Sequence, residues 1–589
     1  MPVYQAPLAD MRFVLDELHG GADLAKLPGY QEATPDLIAS VLEAAGTFTA
    51  EKLLPLNRSG DEEGCHFENG NVRTPAGFKE AYKAFVESGW VSLAGDPEFG
   101  GQGLPQLVNL MVEEMICSTN LSFGMFPGLS QGAYNALRLH GSDELKQRYL
   151  PRLIDGSWAG TMCLTEPQCG TDLGLVRTKA EPAPDGSYRI TGGKIFITAG
   201  EHDLTENILH LVLARLPDAP AGTRGITLFL VPKVLPDGKR NQLSCGTIEK
   251  KMGIHGVPAC QLNFDGATGW LVGKAHKGMS AMFTMMNAAR LAVGIQGLGL
   301  AEAAYQGARD YARTRLQGRS LSGIKAPDKP ADPLIVHPDI RRMLMSMRAR
   351  IEGCRALAGW VGRAADEAAK HPDSERREAA EDLLALMTPI VKSHFTDTGF
   401  DCANLAVQVW GGHGYIRDNG MEQFVRDARI TQIYEGTNGI QALDLIGRKL
   451  GQGTGRLLRS FFHPVAAFIE ETGAEPPMAE FTLPLAKAFA RLQQTTAQIA
   501  QAGLKDPEEA AAAASDYLNL FALVALAYMW ARMARVALAK QANDPTGFYK
   551  AKVATARFFI ARILPQQAAL FQTIGSGKAT LMEMSAEAF

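Results

Sequence analysis

Residues 188–231 contain the runs YRI (Tyr188–Ile190), KIFIT (Lys194–Thr198), ILHLVLA (Ile208–Ala214) and ITLFLV (Ile226–Val231), and QLNF follows at Gln261–Phe264. Short apolar runs rich in β-branched residues, separated by Gly, Pro and Asp, predict strands rather than helices. A small β domain is therefore expected over residues 161–275. On its N-terminal side, residues 30–160 read as helices separated by Gly/Pro loops, of which DPEFGGQG (Asp96–Gly103) is the clearest. On its C-terminal side, Leu291, Ile295, Leu298, Ala301 and Tyr305 recur at helical spacing, and amphipathic segments continue through 340–370, 378–410 and 434–450. After the cluster Gly451, Gly453 and Gly455 the chain is Ala-rich and helical again, with turns near Pro507 and Pro545. The expected fold is mainly α with a small β domain, divided as 1–160, 161–275, 276–450 and 451–589. Gln317–Pro338, with four prolines and two glycines, reads as an irregular excursion that is either a lid or a plain insertion.

The chain has 589 residues, 46% hydrophobic and 21% charged, and 59 Lys and Arg stand against 63 Asp and Glu for a formal charge of −4. This is an ordinary globular composition with room for several cores. Without a basic block, the phosphate-neutralising attraction behind most nucleic-acid binding is missing, so no nucleic-acid partner is expected. The eight cysteines show no CxxC pair, and no zinc-ligand spacing is present, so reduced thiols in a cytoplasmic protein and no metal are expected. Met1–Phe13 lacks the basic start and apolar run of a secretory signal. The most apolar stretch, Leu520–Ala531, runs 12 residues before Arg532 and Arg535, short of the ~20 that cross a bilayer, so a buried helix and no integral membrane segment are expected.

Familiar catalytic signatures are missing. No GxGxxG follows a strand, Gly575-Ser576-Gly577-Lys578 lacks both the upstream Gly and the Ser/Thr of a phosphate-binding loop, and neither GxSxG nor HExxH occurs. What remains is IYEGTNG (Ile433–Gly439), an apolar approach to Glu435 followed by backbone-permissive glycines. Flanked by Ile433 and Tyr434, Glu435 is either a partly desolvated carboxylate suited to abstracting a weakly acidic proton or a solvated residue at a helix N-terminus.

Several segments together resemble the acyl-CoA dehydrogenase family, in the family's order: PEFGGQGL (Pro97–Leu104), KQRYLPRLI (Lys146–Ile154), CLTEPQCGTD (Cys163–Asp172), KIFIT, KMG (Lys251–Gly253), QVWGGHGY (Gln408–Tyr415) and RDARITQIYEG (Arg426–Gly436). The resemblance implies a helical domain, a β-barrel-like middle domain and a four-helix bundle, here with an extra C-terminal helical domain. It implies FAD as cofactor and an acyl-CoA thioester as substrate, with Glu435 taking the pro-R α-proton while the β-hydrogen leaves as hydride. It further implies that the backbone N–H of Glu435 polarises the thioester carbonyl, an oxyanion-type stabilisation of the developing enolate.

Carried over residue by residue, the resemblance assigns Thr165 and Thr171, with backbone from Met162, Leu164 and Gly170, to the flavin and its pyrophosphate. Taken alone, that turn also reads as a tight turn with a capping Thr. Phe196 and Thr198 fall where the family packs the isoalloxazine, with Phe196 replacing the commoner Trp. Arg315, Gln408, Gly411 and Gly412 resemble residues that hold the ADP half of a neighbouring subunit's FAD, which implies a dimer or tetramer. Thr437 matches a flavin or pyrophosphate contact, and Thr171, Arg290, Tyr434 and Gly436 fall near the substrate; Arg290 also reads as a surface helix charge. Two positions depart from the pattern, Gly318 where an aromatic is common and Ile440 in place of a Gln that lies displaced at Gln441.

The opening Pro2–Gly20, the insertion after Arg319 and the extension beyond residue 451 resemble a longer bacterial branch of the family. That likeness implies 3-methylmercaptopropionyl-CoA as substrate, in dimethylsulfoniopropionate catabolism, with short- and medium-chain acyl-CoAs as the alternative. MFPGLSQ (Met125–Gln131) and the Met-rich Met279–Met286 read as acyl-tunnel lining or as ordinary helix core. An electron-transfer flavoprotein is the implied acceptor. The presence of Glu435 and of the FAD segments argues against an inactive acyl-CoA-binding scaffold.

Overall fold

The computed structural model describes residues 3–589, so of the opening Pro2–Gly20 only Pro2 lies outside the described residues. The chain folds as two units: residues 47–104 and 115–292 form one, and residues 1–46, 105–114 and 293–589 form the other.

The strand runs lie in the first of these. A hairpin of β1 (His66–Glu68) and β2 (Asn71–Arg73) stands apart from a seven-stranded sheet made by β3 (Trp158–Cys163), β4 (Lys179–Pro182), β5 (Tyr188–Thr198), β6 (Asn207–Arg215), β7 (Ile226–Pro232), β8 (Leu243–Ile248) and β9 (Ala259–Val272). β4, β5, β9, β7 and β6 pair in turn, and a single pair between Lys179 and Arg215 returns β6 to β4, closing a barrel. β3 lies parallel to β6 and β8 antiparallel to β9. β6 and β7 are buried along nearly their whole length, which is why ILHLVLA and ITLFLV show no polar alternation: both faces are covered. Helices Pro55–Glu63, Phe78–Glu87, Leu121–His140 and Asp143–Ile154 also belong to this unit. The latter two start at Asn120 and Ser142, whose side chains accept from the N–H groups of Phe123 and Leu145.

The other unit is helical: α1 (Gly278–Thr314, entering this unit from Val293), α2 (Pro338–Lys370), α3 (Ser374–Trp410), α4 (Met421–Thr431), α5 (Asn438–Asp444), α6 (Arg456–Thr472), α7 (Ala479–Lys505) and α8 (Pro507–Lys540). α1 and α3 cross closely at Gly297 and Gly399, because a Cβ on Gly297 would stand 2.4 Å from the Phe395 carbonyl oxygen. Only glycine fits there.

The segment 434–450, expected as one helix, is broken: Tyr434–Thr437 is irregular, and α4, outside the segments expected to be helical, precedes it. Gln317–Pro338 is closed at its base, where Gln317 N–H donates to Asp332 O and Leu334 N–H to Arg315 O. The buried Asp332 carboxylate accepts from the N–H groups of Ser320, Lys325 and Ala326, and these donors hold its carboxyl down at about 2. All eight cysteines are free thiols, seven of them buried. Among the described residues one helix, Pro507–Asn543, is long and apolar enough to cross a membrane, so the 12-residue count understates its apolar length. Most of it is buried in its own unit, including Leu518, Phe521, Leu526 and Trp530.

Candidate functional site

In the barrel unit, β3 ends at Cys163 and leads into the TEP turn, where Glu166 and Cys169 exchange backbone hydrogen bonds of 2.9 and 3.0 Å. Ile195 N–H donates to Thr165 O at 2.9 Å and Lys194 Nζ to Leu164 O at 3.0 Å, so this turn lies beside β5. The hub is Glu166. Its Oε1 accepts from Lys194 Nζ at 2.8 Å and from Thr178 Oγ1 at 2.6 Å, and its Oε2 from Arg177 N–H at 2.8 Å. Burial alone would raise its carboxyl, but the Lys194 charge and these donors outweigh that and bring it to about 2. The same burial lowers the Lys194 ammonium below its ordinary range. The pair is not legible in the sequence, because the two residues lie 28 positions apart and only the folded turn joins them.

β5 is irregular between Lys194 and Ile197. Phe196, within the irregularity, has φ +58° and a ring 60% exposed, while Lys194 and Ile197 point inward. A non-glycine residue in the left-handed region is held there by its surroundings, and here the bulge turns an aromatic face outward. Met162 is buried, Leu164, Thr165 and Thr198 are half-buried, and Gly170 and Thr171 are exposed. An outward aromatic face beside a turn bearing threonine hydroxyls suits a flat, acceptor-edged ring such as a flavin. Arg290, expected as a possible surface charge, is instead buried at 4% exposure, and its Nη1 faces Asn287 Oδ1 at 3.5 Å. The Met-rich start of α1 is partly core, with Met282 and Met285 fully buried.

In the helical unit, Glu435 stands outside both α4 and α5, half-buried, at φ +57°, followed by Gly436 at φ +83°. It is thus not a fully solvated helix-terminal residue. Two successive left-handed residues fold the chain back, and its neighbours hold it there. Gln441 Nε2 donates to Gly436 O at 2.9 Å and to Glu435 O at 3.2 Å, and the Tyr434 hydroxyl donates to Gln296 Oε1. Thr437 Oγ1 and Asn438 N–H both donate to Gln432 O, at 3.2 and 3.1 Å. The displaced Gln441 therefore has a local role, bonding the carbonyl of the carboxylate-bearing residue. Gly318 has φ +69°, a conformation an aromatic side chain would resist.

Arg315, Gln408, Gly411 and Gly412 are all exposed, and no atom lies within 4 Å of a Cβ built on either glycine. Beside them Trp410 stacks on Tyr311 with ring centroids 4.2 Å apart, and the Tyr311 hydroxyl meets His413 Nδ1 at 3.0 Å. This fixes the end of α3 from which Gly411 and Gly412 project. Among the described residues no group of three or more His, Cys, Asp or Glu is arranged to hold a metal ion.

The chain belongs to the acyl-CoA dehydrogenase family: profiles of that family's N-terminal, middle and C-terminal domains match residues 38–157, 161–267 and 276–451. A fourth, described as acetyl-CoA dehydrogenase C-terminal like, matches 461–585. Over 572 residues, 95% of this chain and 96% of the other, it is 44% identical to 3-methylmercaptopropionyl-CoA dehydrogenase of Ruegeria pomeroyi. It is 32% identical to a butyryl-CoA dehydrogenase of Syntrophomonas wolfei over 100% of this chain and 99% of that one. An acyl-CoA dehydrogenase of Bacillus anthracis solved with FAD shares the fold, with a TM-score of 0.77 at 20% identity, covering 98% of this chain and 93% of that chain.

Proposed function

We propose that the protein desaturates 3-methylmercaptopropionyl-CoA between Cα and Cβ, giving methylthioacryloyl-CoA. The observation that carries the substrate is the 44% identity, over almost the full length of both chains, to the enzyme of that name. Glu435 is the base. Its half-buried position in a loop fixed at both ends suits a carboxylate that must reach one carbon at hydrogen-bond range. The N–H of Glu435 polarises the thioester carbonyl, so that the charge left by the departing α-proton gathers on oxygen. Tyr434 and Gly436 flank the substrate, and Arg290 and Thr171 contact it.

A bound FAD would supply the acceptor for the β-hydride. Thr165, Thr171, Thr198 and the backbone of Met162, Leu164 and Gly170 would hold it, with Phe196 against its ring, and Thr437 would serve as a contact to the flavin or its pyrophosphate. Arg315, Gln408, Gly411 and Gly412, all exposed, meet the adenosine diphosphate half of FAD in a second copy, which makes the working form a homodimer or tetramer. We assign the protein to the cytoplasm, with an electron-transfer flavoprotein as acceptor and a division into domains at 1–160, 161–275, 276–450 and 451–589.

The substrate is tested by anaerobic titration of the FAD-loaded protein with 3-methylmercaptopropionyl-, butyryl-, octanoyl- and palmitoyl-CoA. Bleaching by the methylthio substrate at least as efficient as by butyryl-CoA is expected. Preference for butyryl-CoA or a longer straight chain would move the protein to fatty-acid oxidation. Light scattering of the same sample tests the oligomer, for which a monomer mass is the contrary result.

A further inference from the structure

The Gln432–Asn438 loop needs an anchor. It carries two left-handed residues, one of them not glycine, a conformation that L side chains resist unless the surroundings hold it. Both ends of the loop converge on one atom of α3. Asp397 Oδ1 accepts from Gln432 Nε2 at 2.6 Å, just before the loop, and from Asn438 Nδ2 at 2.8 Å, just after it. Asn438 is fastened further by α3: its Nδ2 donates to Thr396 Oγ1 at 3.0 Å and to Ser393 O at 3.2 Å. Its Oδ1 accepts from the fully buried Lys392 Nζ at 2.8 Å.

The five residues between Gln432 and Asn438, whose flanking side chains share one acceptor, have little freedom to shift, and Glu435 is the middle one of the five. Proton abstraction is sensitive to misplacement of about 1 Å, which costs on the order of a hundredfold in rate.

We propose that Asp397 is a positioning residue for the base: it clasps both ends of the loop through Gln432 and Asn438, with Lys392 orienting the Asn438 amide, and so fixes where the Glu435 carboxylate stands. This rests on Glu435 being the base. The role assigned to Asp397 is exerted through the loop, by way of Gln432 and Asn438.

The test uses the FAD-loaded protein and 3-methylmercaptopropionyl-CoA in stopped flow. Asp397→Ala is expected to slow flavin reduction ten- to a hundredfold, with substrate half-saturation and flavin content changed less than threefold. Asp397→Asn keeps an acceptor oxygen and is expected to recover the rate to within about fivefold of wild type. Gln432→Leu, at a half-exposed position, loses one of the two ties and should fall between them; it also serves if Asp397→Ala does not fold. Hydrogen exchange supplies a readout independent of turnover: amides in the peptide 432–441 should exchange faster in Asp397→Ala and in Gln432→Leu, but not in Asp397→Asn. Wild-type reduction rates in both Asp397→Ala and Gln432→Leu, or unchanged exchange in that peptide, would overturn the proposal. Glu435→Gln, run alongside, separates the two readings: if it reduces normally the base assignment fails, whereas if it is inert while Asp397→Ala is normal only the clasp fails.

Discussion

Glu166 and Lys194 form an ion pair with side chains 3% and 0% exposed, and removing one partner strands a charge away from water. Lys194→Met should therefore destabilise the barrel unit by about 3–5 kcal/mol and release the turn that carries Thr165 and Thr171. Urea unfolding together with the flavin-to-protein ratio checks this; a variant of wild-type stability that keeps its flavin would refute it. The CLTEPQCGTD segment was recognisable as a motif, and so was Glu435, because both are contiguous strings. Their supports were not. Lys194 meets Glu166, Lys392 meets Asn438 and Gln441 bonds the Glu435 carbonyl only after the chain has turned, and no hydrophobic period or spacing rule encodes such pairs. Burial of Arg290 was equally unreadable, since a lone Arg in NAARLAVG sits as well on a wet face as on a dry one.

Helix Gln106–Thr119 begins at a carboxylate contributed from α2: Asp366 accepts from Gln106 N–H at 2.7 Å, from Leu107 N–H at 3.1 Å and from the Tyr30 hydroxyl at 2.8 Å. Burial raises this carboxyl, the three donors lower it, and burial prevails, leaving it pushed up to about 6. In the unfolded chain it titrates near 3.8. The folded protein therefore holds a proton between about pH 4 and pH 6 that the unfolded chain has released, so this group's contribution to unfolding free energy declines as pH rises through that window and is level above it. Urea unfolding from pH 4 to 7 should show that Asp366→Asn removes part of this slope; an identical slope in the variant would contradict it. Element types followed well from the sequence where period and length agreed, as for α2 and α3. Expectation and structure differ at 434–437, where the chain breaks between α4 and α5, and at β3, whose first residues fall in the stretch expected to be helical.

The N-terminal segment and the C-terminal helices are joined by buried charge. Arg355 in α2 reaches Glu114 at 3.0 Å, Glu302 at 2.7 Å and Asp10; Lys552 pairs with Asp10 and with Glu352 at 2.7 Å, and Arg348 with Glu352 at 2.7 Å. Aromatic rings of Phe13, Trp530 and Phe548 surround the Lys552 ammonium at 5.2, 5.8 and 5.5 Å from their centroids. Trp530 Nε1 also donates to Ala349 O at 2.9 Å. Residues 451–589 thus pack in the same unit as the bundle, and truncation after Lys449 would leave Asp10 and Glu352 without Lys552 and open the seat of α8. The truncated chain is expected to aggregate in sizing chromatography; a soluble, monodisperse product would refute this. Lys552→Met should cost about 3–5 kcal/mol of unfolding free energy, read by urea titration. Composition and helical period marked the extension as helical. They gave no sign that its lysine completes an ion network 542 residues away.

The most direct measurement is stopped-flow reduction of the FAD-loaded wild type and Glu435→Gln by 3-methylmercaptopropionyl-CoA without oxygen. Rapid bleaching is expected in the wild type. In Glu435→Gln the expected result is retained flavin, retained binding of the thioester and reduction slowed by at least a thousandfold, because only the proton-transfer step has lost its base. Bleaching of Glu435→Gln at the wild-type rate would contradict Glu435 as the base.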